Sequence, residues 1–133
     1  MGKLLILFIT LFSFNIKPAL SSWVPLSKGK GSVVQSYIDF ENVWRTKDHV
    51  YYWSLFDYTE PEYGTGMLSM KTYSRANCLT FKYEILILLT YKEPMARGKS
   101  NKDELKEEWA YPQKTSLLAS NLQSLCFITN IIK

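Results

Sequence analysis

Cysteine occurs only twice in this 133-residue chain, at positions 78 and 126, and that pair constrains the fold more than any other feature. What two thiols do depends on where the chain resides. Met1 to Lys3 is a short positive start, and Leu4 to Phe14 (LLILFITLFSF) is an apolar run interrupted only by Thr10 and Ser13. Ala19 and Ser21 then stand at minus three and minus one of a small-residue cleavage point, so residues 1–22 read as a secretory signal peptide and 23–133 as one mature domain. A membrane span needs about 20 apolar residues, whereas this run is shorter and is broken by Asn15 and Lys17. No cysteine follows the cleavage point to accept a lipid. In an exported chain two cysteines most simply form one disulfide, Cys78 to Cys126. Closing a loop of that length stabilises by roughly 4 kcal/mol, against a total of about 5–15 kcal/mol for a small domain.

The other uses of the thiols lack partners. His49 is the only histidine and falls in a turn, TKDH, so a Cys–His nucleophile has little support. Two distant cysteines and one histidine also do not have structural zinc spacing. No cofactor or metal site is expected.

Between the signal and Cys78 the chain reads as strands. Trp23 to Ser32 is an irregular lead-in. Residues 33–40, VVQSYIDF, alternate so that Val34, Ser36, Ile38 and Phe40 share a core side. ENVWR (41–45) bends or starts a second short strand. VYYWSLFDY (50–58) is rich in aromatic and β-branched residues and is the clearest strand. TEPEYGTG (59–66) is a loop, 67–75 a further strand, and 76–78 a turn. Leu79 to Tyr91 is long enough for one strand or for two joined by a bulge. After a polar, charged connection, residues 114–126 put Leu118, Leu122, Leu125 and Cys126 on one helical stripe, with Thr115 or Ser116 as N-cap. The closing FITNIIK extends the helix or forms a strand. Strands followed by one late helix imply an α+β fold: an antiparallel sheet with a C-terminal helix packed on one face.

Chemistry is sparse. Net charge is +4, and losing Lys3 and Lys17 with the signal leaves +2, which argues against nucleic acid as a partner. Asp57, Glu60 and Glu62 form an acidic loop that reads as solvated, with a carboxylate-dependent hydrolase as the minor alternative. Lys92, Arg97, Lys99 and Lys102 make a basic loop that Glu104, Glu107 and Glu108 largely offset; it reads first as solvated, and its sharper reading is as the candidate contacts for an anionic protein partner. KDEL at 102–105 is internal and carries no address. Nucleotide-binding, nucleophile-elbow and zinc-protease motifs do not occur. The lack of catalytic constellations beside many aromatics points to a non-enzymatic binding protein, or to a structural or accessory one.

The segments SYIDFENVW (36–44), VYYWSLFDY (50–58), SMKTYSRANC (69–78), KEPM (92–95), EWAYP (108–112) and SLC (124–126) occur in an order that resembles the surface-adhesin E-like family of small exported bacterial proteins. The resemblance covers about Val33 to Cys126. It implies a sheet of about six strands whose C-terminal helix is tied down by the disulfide, Cys78 on the sheet side and Cys126 on the helix side. It further implies adhesin-like binding of host matrix or envelope proteins at the cell surface, in the medium or in the periplasm. The sequence departs from the family's lipoprotein adhesin in lacking a lipobox cysteine. The 92–108 loop and a sheet face are the expected contact regions, and a homodimer through the second face is a further expectation.

One register problem follows. Strict alternation puts Leu79, Phe81, Tyr83, Ile85, Ile87 and Leu89 on one face, and Cys78, Thr80, Lys82, Glu84, Leu86 and Leu88 on the other. A helix docked on the Cys78 face would leave the more apolar face uncovered. Either a bulge between Cys78 and Ile85 flips the register, or the sheet buries both faces.

Overall fold

The computed structural model describes residues 22–26, 28 and 31–131, so all of the expected signal peptide but Ser22 lies outside the described residues. Among them the chain forms β1 (Trp23–Pro25), β2 (Val34–Asp39), β3 (Trp44–Arg45), β4 (Val50–Tyr58), β5 (Ser69–Asn77), β6 (Lys82–Tyr91), β7 (Ser100–Asp103) and α1 (Leu117–Ile131). Single 3-10 turns lie at Phe40–Asn42 and Pro94–Ala96. All pairings are antiparallel and follow the order β1-β2-β4-β5-β6-β7, with β3 also on β4. The sheet is thus a meander, and its disulfide-tied helix is the α+β arrangement expected.

VYYWSLFDY becomes the central strand, paired along both edges by β2, β3 and β5. Val50, Tyr52, Ser54 and Phe56 turn one way and are buried; Tyr51, Trp53, Leu55 and Asp57 turn the other. The first face carries the helix. Ile38, Val50, Tyr52 and Ala76 of the sheet pack with Leu122, Leu125 and Cys126 of α1, and Phe40, Phe81 and Tyr83 close around them. Leu122 and Leu125 are fully buried, as the stripe predicted. Ser116 is the N-cap: its Oγ accepts from the Ala119 N–H at 3.1 Å. At the other end the helix runs beyond 126, through FITNI, because Arg45 of β3 reaches it. Arg45 donates to the Thr129 carbonyl at 2.6 Å and to Asn130 Oδ1 at 3.1 Å, satisfying groups that a helix end leaves open.

Several expectations shift. Trp23–Pro25 is a short edge strand rather than irregular lead-in; Pro25 is tolerated there because an edge needs no outward N–H. Both readings of ENVWR hold: Asp39 caps a 3-10 turn through Asn42, and Trp44–Arg45 then resumes pairing. β5 continues to Asn77, since Ala76 stays paired with Val50 and buried. The turn is therefore Cys78 to Phe81, closed by Asn77 Oδ1, which accepts from the N–H groups of Leu79 and Thr80. Cys78 lies in this turn, so no strand face dictates its direction, and it bonds Cys126 across a Cα–Cα distance of 5.6 Å.

The register problem is solved by a bulge, but not where alternation placed it. Ser74 pairs Ile85 and Tyr73 pairs Ile87, leaving Leu86 as the extra residue. Tyr83 and Ile85 therefore face the helix side, as do Leu88 and Thr90. Glu84, Ile87, Leu89 and Tyr91 face away. The bulge splits the apolar run ILILL between the two sides, so neither is left with a continuous greasy stripe.

The helix–sheet contact is unusually polar. Ser36, Ser54, Thr72, Ser74, Asn121 and Thr129 are buried on or under α1. Ser36 Oγ donates to Asn121 Oδ1 at 2.9 Å and Thr129 Oγ1 donates to the Leu125 carbonyl at 2.8 Å. Tyr52 OH, Ser54 Oγ, Ser74 Oγ and Asn121 Nδ2 have no hydrogen-bond partner among the described residues. Burial pushes the Tyr52 phenol well above its ordinary pKa. Tyr52 OH and Ser74 Oγ lie near enough to each other to interact; a buried polar group left without a partner costs about 1–3 kcal/mol, so this polar underside favours the helix less than an apolar one would and the covalent tie matters. Cys126→Ser should lower stability in urea by about 2–5 kcal/mol, with amide exchange in 117–131 rising ahead of the sheet. Tyr52→Phe should leave stability unchanged or raise it; a loss beyond about 1 kcal/mol would mean that the hydroxyl has a partner.

Candidate functional site

The face of the sheet turned away from α1 gathers the side chains best suited to recognition. Register fixes its rows. Trp23 stands opposite Asp39, and Trp53 opposite Tyr73, which in turn faces Ile87. Trp44, Tyr51, Arg75 and Glu84 form the next row. Leu55, Lys71, Leu89 and Lys102 form a third, on the other side of the first. Trp109 arrives beside Arg75 because the following residue, Ala110, bridges Tyr83 on the outer edge of β6. All four tryptophans of the chain thus lie on this one face.

The rings are knitted together by cations. Lys71 Nζ sits 5.5 Å from the Trp23 ring centre and 4.8 Å from that of Trp53. The Arg75 guanidinium lies 4.9 Å from the Trp109 ring, which also meets His49 at 5.4 Å. Trp53 and Tyr73 are tilted at 35° with centroids 5.0 Å apart, and Tyr51 adds a third ring 6.4 Å from Tyr73. Such contacts contribute about 0.5–1 kcal/mol each where solvent reaches them. Trp44 stands at the margin, 67 % exposed. Glu84 is 1 % exposed and would be untenable there alone; Arg75 Nε donates to its Oε2 at 2.5 Å. The bond to Glu84 raises the Arg75 pKa above its already high value.

One end of this face is closed by the loop after β6. Pro94–Ala96 folds back over it. The Met95 N–H donates to Asp57 Oδ1 at 2.6 Å, and the Ala96 N–H donates to Ser69 Oγ at 2.9 Å. Ser69 Oγ also donates to the Glu93 carbonyl at 2.5 Å. Asp57 and Ser69 are direct cross-strand partners, so one pair of side chains clamps three residues of the loop, Glu93, Met95 and Ala96. The clamp holds a backbone that L-residues avoid: φ is 57° at Met95 and 54° at Ala96. The two N–H groups so exposed are satisfied separately, Met95 by the Asp57 carboxylate and Ala96 by the Ser69 hydroxyl. Gly98 completes the loop at φ 77°, where a Cβ would strike the Glu93 carboxylate.

The expected site residues are dispersed. Lys92 turns to the 59–66 loop, its ammonium donating to the Thr65 carbonyl, while Arg97 Nε donates to the Pro94 carbonyl at 3.2 Å. Lys99 and Lys102 are exposed, and only Lys102 is carried by its register onto the helix-free face. Asp57, Glu60 and Glu62 do not converge: Asp57 serves the clamp and Glu62 accepts from the Thr65 hydroxyl. Among the described residues no group of three potential metal ligands occurs. A cleft of about 600 Å³ beside the start of α1 is lined by Phe81, Tyr111, Lys114 and Ser116 among others, without a carboxylate or histidine. The tryptophan cluster, the clamp and the Arg75–Glu84 pair escaped the sequence reading. Odd-position parity across 51, 53, 71, 73 and 75 was the available signal for the first.

The geometry defines a class: a small antiparallel sheet domain with one face stapled under a helix and the other presenting aromatic and cationic side chains. The chain belongs to the surface-adhesin protein E family, whose model matches residues 23–127. It is accordingly an adhesin-like protein of exported or cell-surface type. The fold is shared with crystal form II of Haemophilus influenzae protein E, at TM-score 0.64 and 18% identity over 81% of this chain and 89% of that one. A second structure of Haemophilus influenzae protein E matches at TM-score 0.59 and 20% identity, covering 81% and 86%. Protein E from non-typeable Haemophilus influenzae matches at TM-score 0.57 and 18% identity, covering 80% and 76%. No curated protein sequence matches the chain. Among the described residues no helix is long and apolar enough to cross a membrane.

Asp57→Ala should free the loop locally: exchange of the Met95 and Ala96 amides speeds up, while amides of β4, β5 and α1 keep their protection. Asp39 supplies a pH test. Burial raises its pKa, but bonds from Ser22, Asn42 and Glu41 outweigh that and leave it below the ordinary value. A depressed folded pKa adds stability above the unfolded value of about 3.9 that is lost as pH falls through the folded value. Asp39→Asn should therefore flatten the stability curve below about pH 4.

Proposed function

We propose that this protein is a non-enzymatic recognition module that binds a host matrix or envelope protein through the helix-free sheet face and the adjoining 92–108 loop. The observation that carries this reading is the gathering of all four tryptophans, with Tyr51, Tyr73 and Arg75, on the uncovered face. Tryptophan, tyrosine and arginine are the residues that dominate binding energy at protein interfaces. Of the basic loop residues, Lys102 borders the face directly. Arg97 and Lys99 extend it from the clamped loop, and Lys92 contributes on the side of the 59–66 loop. A homodimer would use the same face.

The test is biosensor capture of purified matrix and envelope proteins by the chain. The expected result is saturable binding weakened about tenfold or more by Trp53→Ala and reduced by Lys102→Ala. Binding indifferent to both the face and the loop would remove the proposal. Sedimentation showing only monomer at high micromolar concentration would dispose of the homodimer.

A further inference from the structure

We infer that the helix-free face is built to take an acidic polypeptide segment, with Lys71 as its central charge contact. The inference rests on the recognition reading above and names the chemistry of the partner. It starts from the hydrogen-bonding state of the face. Three carboxylates lie on it, and all three are committed internally. Asp39 accepts from Ser22 and Asn42, Asp57 accepts from Met95, and Glu84 accepts from Arg75. What remains for a partner is almost entirely donor and cation. Lys71 has no carboxylate within ion-pair distance among the described residues, and Lys102 stands two strands away in the same row. Arg75 keeps further N–H donors besides the one used on Glu84, and each indole adds one more.

The arrangement of the rings decides between kinds of anionic partner. A sugar or a nucleobase binds such a surface by lying flat on exposed ring faces. Here faces of Trp23 and Trp53 hold the Lys71 ammonium, a face of Trp109 holds the Arg75 guanidinium, and Tyr73 leans on Trp53. Ring edges and cationic heads are what stay available, and both carry positive potential. Carboxylates and backbone carbonyls suit them. Leu89 lies between Lys71 and Lys102 in one row and Ile87 beside Tyr73 in the next, both half-buried, so an aliphatic or aromatic residue of the segment has an apolar seat. The favoured occupant is a polypeptide of glutamate or aspartate interspersed with large apolar residues.

The experiment follows the four indole N–H signals by NMR. The chain is titrated with a short synthetic peptide of glutamate interspersed with leucine and tyrosine. Comparators are the same peptide with lysine for glutamate, and a heparin fragment. The expected result is a saturable shift of the Trp23 and Trp53 indoles with the acidic peptide alone. Affinity should fall as salt rises through the range where the Debye length shrinks below about 10 Å. Lys71→Met keeps an apolar stem of similar length without the charge and Lys71→Glu reverses the charge, and both leave the Arg75–Glu84 pair intact. They should weaken binding progressively, the second by about tenfold or more. Equal response to the lysine peptide, tighter binding of heparin at the same indoles, or indifference to Lys71→Glu each overturns the inference. Protein capture without acidic-peptide binding sinks this inference and leaves the recognition reading standing. Acidic-peptide binding at Lys71 without capture of any matrix or envelope protein does the reverse.

Discussion

The bond between Cys78 and Cys126 is the constraint on which the rest depends. It joins the β5–β6 turn to a helix whose seat on the sheet is lined as much by serine, threonine and asparagine as by leucine and isoleucine. A helix held by apolar burial alone would need a greasier underside. The covalent tie lets the sheet keep small polar residues at Ser36, Ser54, Thr72 and Ser74, and these keep the central strands narrow enough for close approach. It also fixes which face is closed. With α1 committed to one side, the other stays free for a partner.

The second constraint is the extra residue Leu86. Without it, β6 would show Tyr83, Ile85, Ile87 and Leu89 in one file. Helix and partner would then compete for the same apolar edge. By moving Ile87 and Leu89 to the far side, the bulge supplies both layers from one strand. It also places Glu84 across from Arg75, and that pair in turn positions the guanidinium over Trp109. The chemistry of the recognition face thus traces to a single unpaired residue several positions away.

Much of this fold was legible in the residues. The lone cysteine pair, the aromatic run 50–58 and the leucines at 122 and 125 each carry a strong local or periodic signal, and each sits where its pattern said. Other features depended on contacts between distant segments. Nothing in WVP announces a strand; it becomes one because the outer edge of β2 is open beside it. Asp57 reads as one member of an acidic loop until Met95, 38 positions later, is seen to donate to it. The bulge was anticipated in kind, but its place depends on which residues of β5 are paired, and alternation along one strand does not encode that. The four basic loop residues looked like a cluster because they are near in sequence; opposite strand faces and a tight left-handed loop pull them apart.

The meander has a consequence in time. Neighbours in the sheet are neighbours along the chain, apart from the small detour of β3, so no pairing has to wait for a crossover from a distant strand. A chain emerging amino end first can assemble β1 to β7 before α1 has appeared. Cys78 then waits on a finished scaffold, with one possible partner still to arrive. The helix, which follows the sheet in the chain, is the element that is locked, and Cys126 is the one intramolecular partner open to Cys78. For a protein that must mature outside the cytoplasm, away from ATP-driven chaperones, order of synthesis does the work of quality control.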